Sequence, residues 1–147
     1  MNNNLELANK ILKVAKEVSA TDNRPLCDQY DELAKNAKSL SDKARKPEDE
    51  AGPAAKCEEH VDALLAHDKA QDVLDQLKKH CYRAMDAIRN VHGLGTDHKA
   101  YGMLVSKHQD YCHLDNQHEK IKRVHHVYLD KAKGHVDNSG EKFGLSN

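Results

Sequence analysis

Apolar residues recur along this chain at intervals of three and four, which is the spacing of one face of an α-helix. Four segments share this pattern, and they predict helices at about 4–20, 25–45, 54–92 and 97–134. Stretches that contain Pro or Gly separate the last three segments, at 46–53 and 93–95. Residues 135–147 lack the pattern and are rich in Asn, Ser and Gly, which predicts an irregular tail.

The segment lengths predict an all-α fold with a single domain over 1–147. The expected architecture is a four-helix bundle in which two short helices pack on a long antiparallel helical hairpin. The second segment alternates apolar steps of four and three, which is typical of a coiled coil. At about 1.5 Å per residue, the two short helices cover only about half of the hairpin.

The hairpin tip, at about 83–105, is expected to be the uncovered half, and it carries several apolar side chains. An exposed apolar surface indicates a protein partner or self-association. We therefore predict a partner-binding surface made of Ile88, Val91, Leu94, Tyr101 and Met103. The alternative is that the two short helices shift along the hairpin and cover the tip.

The composition narrows the class of protein. The chain has 147 residues, a net charge of -1 and 4% aromatic residues, which argues against a disordered chain and against a β-barrel or β-sandwich. There is no apolar run of the ~18–20 residues that a membrane span needs. The four cysteines form no C-x-x-C motif, and no secretory signal is visible. We therefore expect a cytoplasmic protein with free thiols, or one made in a host cytoplasm and incorporated into a particle.

The motifs of the common enzyme classes are missing from the sequence. It contains no Glu-x-x-His pair, phosphate-binding loop, Rossmann glycine run, Gly-x-Ser-x-Gly or His-Glu-x-x-His. We therefore expect a protein that is not an enzyme.

Eleven histidines are the unusual feature of the composition. A helical wheel places His67 on the inward face of the third helix, and His118 and His125 on that of the fourth. Folding the hairpin about Leu94 sets His67 level with Ile121. These rings are either packed core groups or metal ligands, although His118 and His125 lie about 10.5 Å apart along the helix, too far to hold one ion together. As core groups they predict that the bundle loosens between about pH 6.5 and 5.

A second possible metal site combines Cys81 with His108 and Cys112. The four-residue spacing of the last two places a nitrogen and a sulfur on one side of a helix, which suits zinc. A structural zinc site needs four ligands, however. We therefore expect no cofactor, with zinc or another transition metal as the alternative.

Basic residues concentrate late in the chain, and three of them, Lys120, Lys122 and Arg123, could make weak phosphate contacts. No recognition motif accompanies them, so we expect no further nucleic-acid binding.

Together these features predict a non-catalytic helical structural or protein-interaction subunit of a larger assembly, such as a homo-oligomer or a viral, phage or bacterial particle. Two alternatives remain open. One is a metal-binding or metal-sensing helical bundle that uses His and Cys, and the other is a small regulator that binds and blocks another protein.

Overall fold

The structure is a computed structural model. It describes residues 5–6, 9–10, 12–13, 24–91 and 99–140, and it describes only the backbone of residues 91 and 135–140. The described residues form three α-helices, which we name α1 (Arg24–Ala44), α2 (Gly52–Asp86) and α3 (Lys99–Gly140). No strand occurs among the described residues, so the predicted all-α class is confirmed.

The finer prediction of a four-helix bundle is not confirmed, because the described residues contain three α-helices. The predicted first helix, at about 4–20, lies largely outside the described residues. Positions 5–6, 9–10 and 12–13 within it have helical backbone.

The loop between α1 and α2 follows the sequence signals. The backbone N–H of Ala51 donates to the Asp49 carboxylate at 2.9 Å, which is a side-chain turn typical of Asp. Gly52 has a φ of 88°, a left-handed conformation that favours glycine. Pro53 follows within the first turn of α2, where a missing N–H costs nothing because that group has no partner in the helix.

Both long helices differ from prediction at their C-terminal ends. The helix predicted over 54–92 changes to a π-helical segment at Ala87–Val91. The predicted irregular tail, 135–147, is wrong over 135–140, because α3 continues to Gly140. A single glycine such as Gly134 costs a helix only about 1 kcal/mol, and no proline follows it to stop the hydrogen-bonding pattern. Residues 141–147 lie outside the described part of the chain.

The chain divides into two compact units. Unit 1 combines Met1–Gln29 with Val73–Asp115, and unit 2 combines Tyr30–Asp72 with Asn116–Asn147. Segments of the same three helices contribute to both units. The single domain expected from the sequence stays a prediction.

Unit 1 contains an apolar cluster formed by Cys81, Ala84, Met85, Ile88 and Leu104. Ala100, Tyr101, Val105 and Tyr111 pack against it and are partly buried. At the edge of the unit, Lys78 pairs with Asp115 at 3.0 Å. This unit therefore has a conventional core of apolar side chains.

The five residues predicted to bind a partner fall in different environments. Ile88 is fully buried in the cluster of unit 1, and Tyr101 is partly buried against it. Met103 is 52% exposed. The side chain of Val91, and Leu94 as a whole, lie outside the described residues. Partner binding at the tip stays a prediction, and Ile88 could contribute only if the cluster opened.

Unit 2 has a different interior, in which most apolar side chains are small. Ala37, Ala63 and Ala70 are fully buried, one on α1 and two on α2. Because alanine fills little volume, the helices leave space between them for larger polar rings. Four histidines occupy that space.

Candidate functional site: a buried histidine network

Two histidines on α2 and two on α3 meet inside unit 2. His60 and His67 are seven residues apart on α2, and His118 and His125 are seven apart on α3. Seven residues are close to two helical turns, so each helix presents both rings on one face. Their exposed fractions are 2%, 2%, 7% and 0%, in order along the chain. The four rings are therefore core groups.

The rings form two pairs across the antiparallel helices. In the first histidine pair, the Nδ1 atoms of His67 and His118 lie 2.7 Å apart. In the second histidine pair, the Nδ1 atoms of His60 and His125 lie 2.9 Å apart. Both are hydrogen-bond distances, so one ring of each pair donates and the other accepts.

Helix α1 joins the two pairs through a hydroxyl group. The Oγ atom of Ser41 lies 2.7 Å from Nε2 of His67 and 2.9 Å from Nε2 of His125. At the far end of the first pair, the Tyr30 hydroxyl lies 2.8 Å from Nε2 of His118. Both hydroxyl groups belong to buried residues, Ser41 and Tyr30.

The result is a continuous chain of five hydrogen bonds that links all three helices. We call it the histidine network, and its members in bonding order are Tyr30, His118, His67, Ser41, His125 and His60. At its end, the ring of Tyr128 stacks on His60 with an interplanar angle of 9°. Every nitrogen of the three rings inside the chain has a partner, as buried polar groups require.

Burial controls the charge of these rings. It is the main reason that the pKa of His67 falls from 6.5 to about 4, and repulsion from His118 and His125 adds to the shift. Burial also lowers the pKa of His125 to about 4, followed by repulsion from His60. The pKa of His60 is lowered by burial and then by the charge of Lys56. The folded state therefore favours the neutral forms of His60, His67 and His125.

A group of charged residues lies beside the network. Lys122 on α3 pairs with Asp68 of α2 and with Glu119 of its own helix. Burial acts to lower the pKa of Lys122, but the hydrogen bond and charge of Asp68 outweigh it, and the pKa is raised. The side chain that the sequence suggested for phosphate contacts is thus already paired with carboxylates. Lys120 and Arg123 are exposed, and phosphate contacts stay a prediction.

Two open cavities border the network. One, of about 330 Å³, is lined by Tyr30, Ser41, His67 and His118 together with neighbouring residues. The other, of about 260 Å³, reaches His60 and Tyr128 and has basic side chains on its rim: Arg45, Lys46, Lys56 and Lys131. Both ends of the network therefore lie against open cavities.

The distances between the rings correspond to hydrogen bonds and are too short for a shared metal ion. Two nitrogens on one tetrahedral zinc ion lie about 3.3 Å apart, given Zn–N bonds of about 2.0–2.1 Å. The two Nδ1 contacts are 2.7 and 2.9 Å. In the part of the chain that the structure describes, no three His, Cys, Asp or Glu side chains form a group that could hold a metal ion.

The sequence placed three of the four rings inside, but it missed the fourth. His67, His118 and His125 are buried on the inward faces, as the wheel indicated. The expected register is off by three residues, because His67 meets His118 and not Ile121. The same register pairs His60 with His125. The sequence pattern suggested only a weak metal-binding pair of His60 with Cys57 and did not place His60 on the inward face. Equal seven-residue His spacing on both helices was the signal that could have revealed it.

The second possible metal site, made of Cys81, His108 and Cys112, is only partly brought together in unit 1. His108 Nδ1 lies 3.6 Å from Cys112 Sγ, and the ring of Tyr82 is close to His108. Nε2 of His108 is buried and has no hydrogen-bond partner. Cys81 is fully buried in the apolar cluster, and burial raises the pKa of its thiol.

Comparisons with family models, with curated proteins and with solved structures find no match for this chain. None of the helices in the described residues has the length and apolar run that crossing a membrane requires.

Proposed function

We propose that this chain is a non-catalytic helical interaction subunit whose helix packing is released by acid. The observation that supports the proposal is the histidine network, which holds α1, α2 and α3 of unit 2 together through five side-chain hydrogen bonds. The partner would be another protein or a second copy of the chain.

The network is an inefficient way to stabilise a core, which favours a regulatory role. Buried polar groups lose their contacts with water, and well-packed apolar side chains of similar size often give equal or greater stability. Polar networks are instead suited to fixing one arrangement of helices and to responding to a change in charge. Unit 1 of the same chain has an apolar cluster, so an apolar solution was accessible to this fold.

The chemistry of the network supports binding in preference to catalysis. The nitrogens of His67, His118 and His125 bond to other histidine rings or to hydroxyl groups. A catalytic acid or base must instead reach a substrate atom. The hydrogen bonds between the rings therefore hold the helices together. Histidine is also the side chain that changes charge between pH 5 and 8.

The experiment compares the parent chain with a variant in which His60, His67, His118 and His125 are all changed to Gln. Helix content and mass in solution are measured from pH 7.5 to pH 4 by circular dichroism and light scattering. We expect the parent to lose helix packing or assembly as the pH falls below about 6.5, because the unfolded chain then takes up protons that the folded chain refuses. The Gln variant should show a much weaker response, since glutamine does not ionise.

The control replaces His113, an exposed histidine of α3, with Gln. This variant should respond to acid as the parent does. An equal response in all three proteins would contradict the proposal. A chelator at pH 7.5 adds a second control: if it disrupts the parent, the metal-binding alternative replaces the acid-release function.

A further inference from the structure

We infer that each histidine pair is a binding site for a single extra proton, and that a second proton on either pair separates α2 from α3. The inference rests on the proposed function and gives it a stoichiometry. The chain would store up to two protons while folded and open when it receives a third.

The count follows from the atoms of the first histidine pair. Two neutral rings carry two N–H protons in total. One of these protons lies in the hydrogen bond between the Nδ1 atoms of His67 and His118. A third proton can be added to the Nε2 atom that has none. Both Nε2 atoms then carry a proton, and the proton between the two Nδ1 atoms stays in place. The Nε2 protons are donated to Ser41 and to Tyr30, whose oxygens accept them. No hydrogen bond of the pair is lost.

A fourth proton has no place in this geometry. It would set two N–H groups against each other across 2.7 Å, where one proton now joins the two nitrogens. The hydrogen bond would become a repulsive contact between two buried cations, which is costly in a region of low dielectric constant. The rings must then move apart, and with them the helices that carry them. The second histidine pair, with its 2.9 Å contact, follows the same rule.

Ser41 allows both pairs to be charged at the same time. Its oxygen has two lone pairs, so it can accept from His67 and from His125 together. Its own O–H can then turn to the carbonyl of Ala37, four residues earlier in α1, as helical serines commonly do. Without this oxygen, the two inner Nε2 protons would have no buried acceptor.

The positive charge of each protonated pair can move to the outer ring. In the first pair this ring is His118, which lines the 330 Å³ cavity. Charged groups on this side come from all three helices: Lys38, Asp42 and Arg45 from α1, Asp68 from α2, and Glu119 and Lys122 from α3. Lys122 is paired with its two carboxylates, so acids and bases nearly balance here.

In the second pair the outer ring is His60, which lines the 260 Å³ cavity. On α2, Lys56 is paired with Glu59 at 2.6 Å. The other charged groups facing this pair are Arg45, Lys46 and Glu48 near the loop, and His126 and Lys131 on α3. Cations are in excess on this side, which limits the pair further to one added proton.

The test is a pH titration of the complete chain, followed through the side-chain nitrogen signals of the four rings by long-range ¹H–¹⁵N NMR. We expect the two rings of a pair to titrate with a shared midpoint, and their two protonation shifts together should amount to the full shift of one ring. The folded spectrum should persist through this step, and a cooperative loss of structure should follow at lower pH.

Ser41→Ala tests the acceptor, with Ser39→Ala on the exposed side of α1 as the matched control. Loss of a hydrogen bond to a charged group should weaken proton binding by about tenfold, which lowers the midpoints by about one pH unit. Ser39→Ala should leave the midpoints in place. If Ser41→Ala does not fold, the uptake of one proton per pair in the folded parent still tests the inference.

Four independent titrations of full amplitude in the folded chain would overturn the inference. So would loss of structure with the first proton, although that result would leave the acid-release function intact. If the rings became fully charged with no change in helix packing or assembly, both the inference and the proposed function would fail.

Discussion

The Nδ1 atoms of His67 and His118 lie 2.7 Å apart in the interior of unit 2, although 51 residues separate them along the chain. One proton joins the two rings, and their remaining nitrogens bond to hydroxyl groups of α1. A single contact therefore depends on the placement of three helices and on the charge of two side chains. This dependence gives the structure its testable consequences.

The free energy of unfolding should decrease as the pH falls from about 6.5 to about 4. The pKa values of His67 and His125 are about 4 in the folded chain, against 6.5 in the unfolded chain, so the unfolded chain binds more protons in this window. Each ring then contributes a loss on the order of 3 kcal/mol, complete near the lower limit. Urea unfolding at several pH values measures the slope. Stability that is constant or rises toward pH 4 would contradict the assignment of neutral buried rings.

The two rings of the first pair should be energetically coupled. Changing either His67 or His118 to Leu removes the hydrogen bond to a buried nitrogen of the other ring, at a cost of about 1–3 kcal/mol. The double variant removes both, so its cost should fall below the sum of the single costs by about 0.5–3 kcal/mol. Denaturant unfolding of the four proteins supplies the coupling energy.

His113 provides the control for this double-mutant cycle, because it lies on α3, as His118 does, but is exposed. The cycle between His67 and His113 should be additive within about 0.5 kcal/mol. If the two cycles gave the same coupling energy, the hydrogen bond between the buried rings would not be the cause.

Enlarging a buried alanine should displace the rings. Ala37 on α1 is fully buried, and Ala37→Leu adds three carbon atoms to the filled interior. We expect a loss of about 1–3 kcal/mol, as overpacked cores show. Ala54→Leu, at an exposed position of α2, makes the same change without that penalty. Thermal unfolding compares the two, and equal melting temperatures would show that the interior tolerates the added volume.

Ile88 and Met103 should separate stability from partner binding at the predicted tip. Ile88 is fully buried, so Ile88→Ser should lower stability by about 2–5 kcal/mol. Met103 is 52% exposed, and Met103→Ser should change the free energy of unfolding by less than about 0.5 kcal/mol. Light scattering would show whether Met103→Ser weakens assembly. Unchanged assembly would remove Met103 from the predicted partner surface.

Much of the fold could be predicted because it depends on local pattern. The three-and-four spacing of apolar residues gave the helices, and Pro47 and Gly52 mark the loop between α1 and α2. The end of α3 was harder to predict, since Gly134 weakens a helix without stopping it. Where such a helix ends depends on a small difference in free energy between continuing and ending it, and this difference leaves no clear signal in the sequence.

The histidine network could be predicted only in part. A helical wheel fixes which face of a helix His67 and His118 occupy, and this was enough to place them inside. The register between two helices is set by packing across them, and a difference of three residues changed the partner of His67. Ser41 was overlooked because one serine in a polar helix carries no local signal of burial.

The most direct test of the account is the protonation state of His67 and His125 in the folded chain at pH 5.5. Side-chain ¹⁵N signals distinguish a neutral ring from a charged one, and the exposed rings of His113 and His126 provide a reference in the same sample. Because the pKa values of His67 and His125 are about 4, we expect both rings to be neutral in the folded chain at this pH. Fully charged His67 and His125 rings in a folded, unaltered chain would contradict it.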